Sequence, residues 1–73
     1  MAQLRNPDAM NLIGANVKKY RLECNLTQES LANLSGIDWS TISRLERGVV
    51  NTSVSVLFAL ADAMGIRPSQ LLE

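Results

Sequence analysis

Between positions 27 and 51 the chain carries a set of side chains that can hydrogen-bond outward or present positive charge. They are Thr27, Gln28, Trp39, Ser40, Thr41, Ser43, Arg44, Arg47 and Asn51. An arginine guanidinium offers several N–H donors in a planar fork, whereas a tryptophan offers a single N–H. Such groups recognise acceptor-rich or anionic surfaces. The rest of the chain adds little reactive chemistry. It has no histidine, which removes His-based triads, His-ligated metal sites and the commonest general base. Cys24 is the one cysteine, too few for an internal disulfide or an ordinary zinc site. The carboxylates are scattered, and no glycine-rich phosphate cradle is present. The expectation is a protein that is not an enzyme and needs no metal or cofactor.

Those side chains need a scaffold, and the scaffold is written in residues 27–48, TQESLANLSGIDWSTISRLERG. Thr27 suits a helix N-cap, and Leu31, Ala32 and Leu34 supply that helix with an apolar edge. Ser35 and Gly36 break the pattern, and glycine tolerates the positive φ of a sharp turn. Asp38 can cap a second helix that starts at Trp39, turns Ile42 and Leu45 inward and stops at Gly48. Small Ala32 falls where the two helices would cross closely. The spacing predicts a helix-turn-helix, whose second helix has the dimensions to enter a DNA major groove.

The stretch LTQESLANLSGIDWSTISRLERG resembles the Cro-type helix-turn-helix family, which includes the lambdoid phage repressors. The resemblance extends to IGANVKKYR before the motif and VLFALADAMGI after it, about residues 13–72. It implies an all-α, five-helix, lambda-repressor-like domain that binds double-stranded DNA. In that setting Trp39, Ser40, Ser43 and Arg44 face the groove, with Thr41 and Arg47 toward the backbone. Gln28 and the Thr27 end of the first motif helix meet a phosphate, and Asn51 can do the same. The resemblance also implies that Arg21 and Glu46 form a buried ion pair. ERGVVNTSVSVL is most similar to the restriction–modification controller proteins, but their usual basic residue after the helix cap is replaced by Trp39. Three roles stay open for Trp39: packing on thymine methyls, folding back on the preceding helix, or contacting a protein.

The flanking segments follow from the same rules. Residues 1–6 read as a loose arm. A first helix should start at Asn6 and Pro7, carry an apolar stripe of Ile13, Val17, Tyr20 and Cys24, and end at Asn25. Lys18 and Lys19 lie off that stripe, either solvated or near DNA backbone. Leu26 should enter the core. A Ser53 cap should open another helix with Val54, Leu57, Leu60, Ala61 and Met64 inward, ending at Gly65. A last turn from Pro68 carries Leu71 and Leu72.

At 73 residues this is a single domain. A chain this short buries only about 60% of its unfolded surface, so partnership with a second copy would help it. Phe58, Leu71 and Leu72 are the expected contacts of such a homodimer. Seven basic residues balance seven acidic ones, and the pI is near 6.2. Since nucleic-acid-binding domains often have a pI above about 9, any basic footprint must come from distribution. The neutral total keeps a second class open: an antitoxin-like or inhibitory protein-binding module on the same fold. No signal-peptide pattern appears, and the apolar run at 54–64 is shorter than the roughly 18 residues a membrane span needs. The expected location is the cytoplasm, with no membrane partner.

Overall fold

The computed structural model describes residues 4–73. Four α-helices follow one another: α1 (Pro7–Glu23), α2 (Gln28–Ser35), α3 (Trp39–Glu46) and α4 (Val54–Met64). A 3₁₀ turn, Pro68–Leu72, closes the chain, and no strand occurs among the described residues. The expected fifth helix is therefore this 3₁₀ turn, and the α-helices among the described residues number four. Met1–Gln3, half of the expected arm, lie outside the described residues.

Each α-helix starts where a short polar side chain can accept from an otherwise unpaired N–H. Asn6 accepts from Ala9, Thr27 from Ser30, Asp38 from Thr41 and Ser53 from Val56. Pro7 takes the first position of α1. Left-handed residues end the helices or lie just beyond them, with Asn25 at φ 58° and Gly36 at φ 77°.

The core gathers Val17, Leu31, Ile42, Leu45, Leu57, Leu60, Ala61, Met64 and Leu71. Its composition corrects several expectations. In α1 the buried line is Met10, Gly14, Val17 and Arg21, one residue round from the expected stripe. Ile13 and Tyr20 flank it half-buried, and Cys24 is exposed, its thiol 3.5 Å from the Met64 carbonyl. The rotation has a steric cause. A Cβ placed on Gly14 would lie 2.3 Å from the Leu45 carbonyl oxygen, so α3 approaches α1 along the one position without a side chain.

Leu34 is 62% exposed, not part of the buried edge of α2. Three residues advance a helix by about 300°, which leaves Leu34 on the far side of Leu31 from half-buried Ala32. Val54 is 69% exposed although it is in register with Leu57 and Ala61, because no described element reaches over it at the start of α4. Leu71 is 0% exposed and belongs to the core. The Asn16 side-chain amide donates to the Leu71 carbonyl at 3.0 Å and pins the 3₁₀ turn to α1. The side chain of Leu71 therefore has no surface to offer a second copy, which corrects its expected place in a dimer contact.

Candidate nucleic-acid interface

α3 is held from behind by Ile42 and Leu45, 0% and 2% exposed. Residues on the opposite side are thereby set outward. Trp39, Ser40, Arg44 and Arg47 are exposed, and Thr41 and Ser43 half-buried. The structure thus brings together on one short helix and its C-cap the six residues expected there. Arg44 Nε lies 3.3 Å from the Ser40 carbonyl and Arg47 Nε 3.4 Å from the Ser43 carbonyl. Each guanidinium is steadied one turn back, while its terminal N–H groups have no partner among the described residues.

The start of α3 is organised by Asp38. Its carboxylate accepts from the Thr41 backbone N–H at 3.1 Å, from the Thr41 hydroxyl at 2.8 Å and from the Ser40 hydroxyl. The Ser40 hydroxyl, then the Thr41 hydroxyl and N–H, hold the Asp38 carboxyl down at about 2, below the usual carboxylate value. Asp38 is therefore fully ionised at neutral pH. Thr41, expected to face the DNA backbone, already spends its single hydroxyl proton on this cap.

The other end of α3 is tied inward. Arg21 Nε donates to Glu46 Oε2 at 2.7 Å and Nη2 to Oε1 at 3.0 Å, a two-pronged pair with side chains 10% and 6% exposed. Arg21 Nη1 donates to the Leu26 carbonyl at 2.8 Å, which explains how the guanidinium tolerates burial. The Glu46 hydrogen bond outweighs desolvation and raises the Arg21 pKa further.

Gln28 joins this network: its amide donates to Glu46 Oε1 at 3.1 Å. The bond is absent from the sequence-based expectation, which places Gln28 on a phosphate. The backbone N–H groups that open α2 remain available for that contact, since Thr27 satisfies only the N–H of Ser30. No local signal could have revealed the Gln28–Glu46 bond, because it forms only when α2 and α3 cross. Asn51 is likewise occupied, donating to the Leu4 carbonyl at 2.7 Å. Trp39 forms the ridge between two open clefts. One runs along Glu29, Ala32, Asn33 and Ile37, the other along Leu22, Leu26, Thr27 and Gln28. The indole thus stands beside the first half of α2 with 52% of its surface exposed. Gly14, which sets how closely α3 sits, was also missed. Its signal was a glycine inside a helical pattern, a costly choice unless packing requires it.

Three comparisons bear on this arrangement. The helix-turn-helix family model HTH_3 matches residues 17–71. The HTH-type transcriptional regulator y4dJ of Sinorhizobium fredii is 38% identical over 65 residues, covering 89% of this chain and 84% of that protein. Control protein C.SmaI of Serratia marcescens is 37% identical over 65 residues, covering 89% and 77%. The crystal structure of the restriction-modification controller protein C.AhdI from Aeromonas hydrophila superposes with a TM-score of 0.82 at 37% identity, covering 85% of this chain and 94% of that one. A motif built from two capped helices, matched over most of the chain by model, sequence and structure alike, leaves one reading: this chain belongs to the helix-turn-helix family.

Proposed function

We propose that the chain is a sequence-specific DNA-binding transcriptional regulator, acting in the cytoplasm as a homodimer on a near-palindromic operator. The observation that carries this reading is the outward face of α3. Its inner face is locked into the core by Ile42 and Leu45, so Ser40, Ser43 and Arg44 are presented on a rigid element. Arg44 is the candidate for guanine, because a guanidinium can bond O6 and N7 together. Trp39 stands at the groove edge against α2. The N–H groups opening α2, with Thr27 and Gln28, serve a phosphate and set register. Arg47 and Asn51 can reach the backbone on the other side, Asn51 with the amide hydrogen not given to Leu4.

Dimerisation rests on exposed apolar surface. Val54 and Phe58 lie four apart on α4, 69% and 58% exposed, and Leu72 is 57% exposed. Two-fold symmetry would place the half-sites about 34 Å apart, one helical turn of DNA. No helix among the described residues is long and apolar enough to cross a membrane.

Selection of bound duplexes from a random pool tests the reading directly. A near-palindromic consensus is expected, with Arg44→Ala relaxing preference at one base pair per half-site. A protein-binding module on this fold, favoured by zero net charge, would return no consensus. It would also lack the steep loss of affinity with salt that counterion release imposes.

A further inference from the structure

We infer that Asp38 makes Ser40 a hydrogen-bond acceptor toward DNA, so that the N-terminal end of α3 selects a base presenting an amino group, adenine or cytosine. This rests on the DNA-binding reading above and specifies what one part of that surface recognises.

The reasoning is a count of protons. A serine or threonine hydroxyl has one proton to donate and two lone pairs to accept with. An ionised carboxylate can only accept. Both the Ser40 and Thr41 hydroxyls reach the Asp38 carboxylate, so both must donate to it, and neither has a proton left. Bonds to a charged acceptor are roughly twice as strong as neutral ones. A neutral base oxygen or ring nitrogen competes poorly for those protons. A phosphate would compete on charge but would have to sit beside the Asp38 carboxylate, against like-charge repulsion. What Ser40 can present to the groove is therefore lone pairs.

In the major groove the matching donors are adenine N6 and cytosine N4; guanine and thymine present only acceptors there. Thr41 carries the same polarity but is half-buried, which leaves the exposed Ser40 as the reader. The polarity reverses one turn along α3. The Ser43 hydroxyl has no partner among the described residues, and the Arg44 guanidinium is all donor. The surface is thus split, accepting near Asp38 and donating near Arg44.

The test uses the full chain. Selection with the wild type and with Ser40→Ala identifies the base pair whose preference disappears in the variant. The operator is then rebuilt with the exocyclic amino group removed at that pair, using purine in place of adenine or 2-pyrimidinone in place of cytosine. Loss of one hydrogen bond should weaken wild-type binding about fivefold. Ser40→Ala should bind both duplexes alike. Asp38→Asn keeps a competent cap but returns a proton to the hydroxyls, so it should better tolerate guanine or thymine at that position. If amino-group removal affects the wild type and Ser40→Ala equally, or if removal of a base acceptor is what Ser40 senses, the assignment is overturned. A chain that selects no consensus at all sinks the DNA reading itself; a specific chain indifferent to the amino group sinks only the acceptor role.

Discussion

Asp38 and Glu46 sit at opposite ends of one eight-residue helix and solve opposite problems. Asp38 stands at the N-terminus, where free N–H groups and the helix dipole favour negative charge, and it needs no cation. Its partners are neutral and local. Glu46 stands at the C-terminus, where the dipole opposes it, and it is removed from water as well. It persists because Arg21 reaches it from another helix with two hydrogen bonds. The first carboxylate shapes what the surface presents; the second helps hold α3 against α1. The same functional group thus orders an outward surface when solvated and holds two helices together when buried, and the difference is set by solvation and dipole direction.

Breaking the buried end should have the largest effect. Glu46→Gln leaves the Arg21 charge without its counterion, a change that costs about 3–5 kcal/mol. At roughly 0.05–0.15 kcal/mol per residue, that is a large part of the stability of a chain this size, so a urea melt should show a midpoint far below that of the wild type. Replacing both partners by apolar residues, Arg21→Met with Glu46→Leu, should recover much of the loss, since a buried pair is costly to break yet replaceable as a unit. A Glu46→Gln midpoint equal to wild type would dissolve the contrast.

Gly14→Ala should come next. Its Cβ would meet the Leu45 and Glu46 carbonyl oxygens at 2.3 and 3.1 Å, both backbone atoms that cannot rotate away. Overpacking of this kind costs about 1–3 kcal/mol, more than alanine's advantage in a helix returns. Amide exchange should accelerate at the Glu46 end of α3 before the Asp38 end. Uniform acceleration would mean that the two ends do not respond separately.

The exposed end should respond more weakly, and to acid. The folded-state pKa of Asp38 is depressed from 3.8 to about 2. Its stabilising contribution is therefore complete above the unfolded value and is lost as pH falls through the folded one. An NMR titration of the Asp38 carboxyl should find its midpoint near the lower figure; a midpoint at the ordinary carboxylate value would remove the hydroxyl cluster. Arg21 runs the other way. Its raised pKa keeps its contribution intact through acid and neutral pH and loses it only in strong alkali.

Phe58→Asp should disturb neither end of α3. Phe58 is 58% exposed on the protomer, so the variant should stay folded while it sediments as a monomer. An unfolded variant would place Phe58 in the protomer's core, not in a contact between copies.

The parts legible in the sequence are those decided within three or four residues. Asn6, Thr27, Asp38 and Ser53 cap their helices because each side chain reaches an N–H three positions on, a contact that needs no tertiary partner. The turn at Gly36 and the inward pair Ile42 and Leu45 follow from the same short-range rules. The Arg21–Glu46 pair was legible only through family resemblance, since 25 residues separate its members. Tertiary packing decided the rest. Periodicity defines an apolar stripe but not the rotation about the helix axis that is buried, and in α1 that rotation was set by α3 closing on Gly14. Leu34 and Val54 are apolar by composition and exposed because no described element covers them. Leu71 and Leu72 are neighbours of one residue type, yet one fills the core and the other meets water. Local sequence sets the conformation of each short segment because its hydrogen bonds close within the segment. Burial belongs to pairs of segments, and it exists only once they have met.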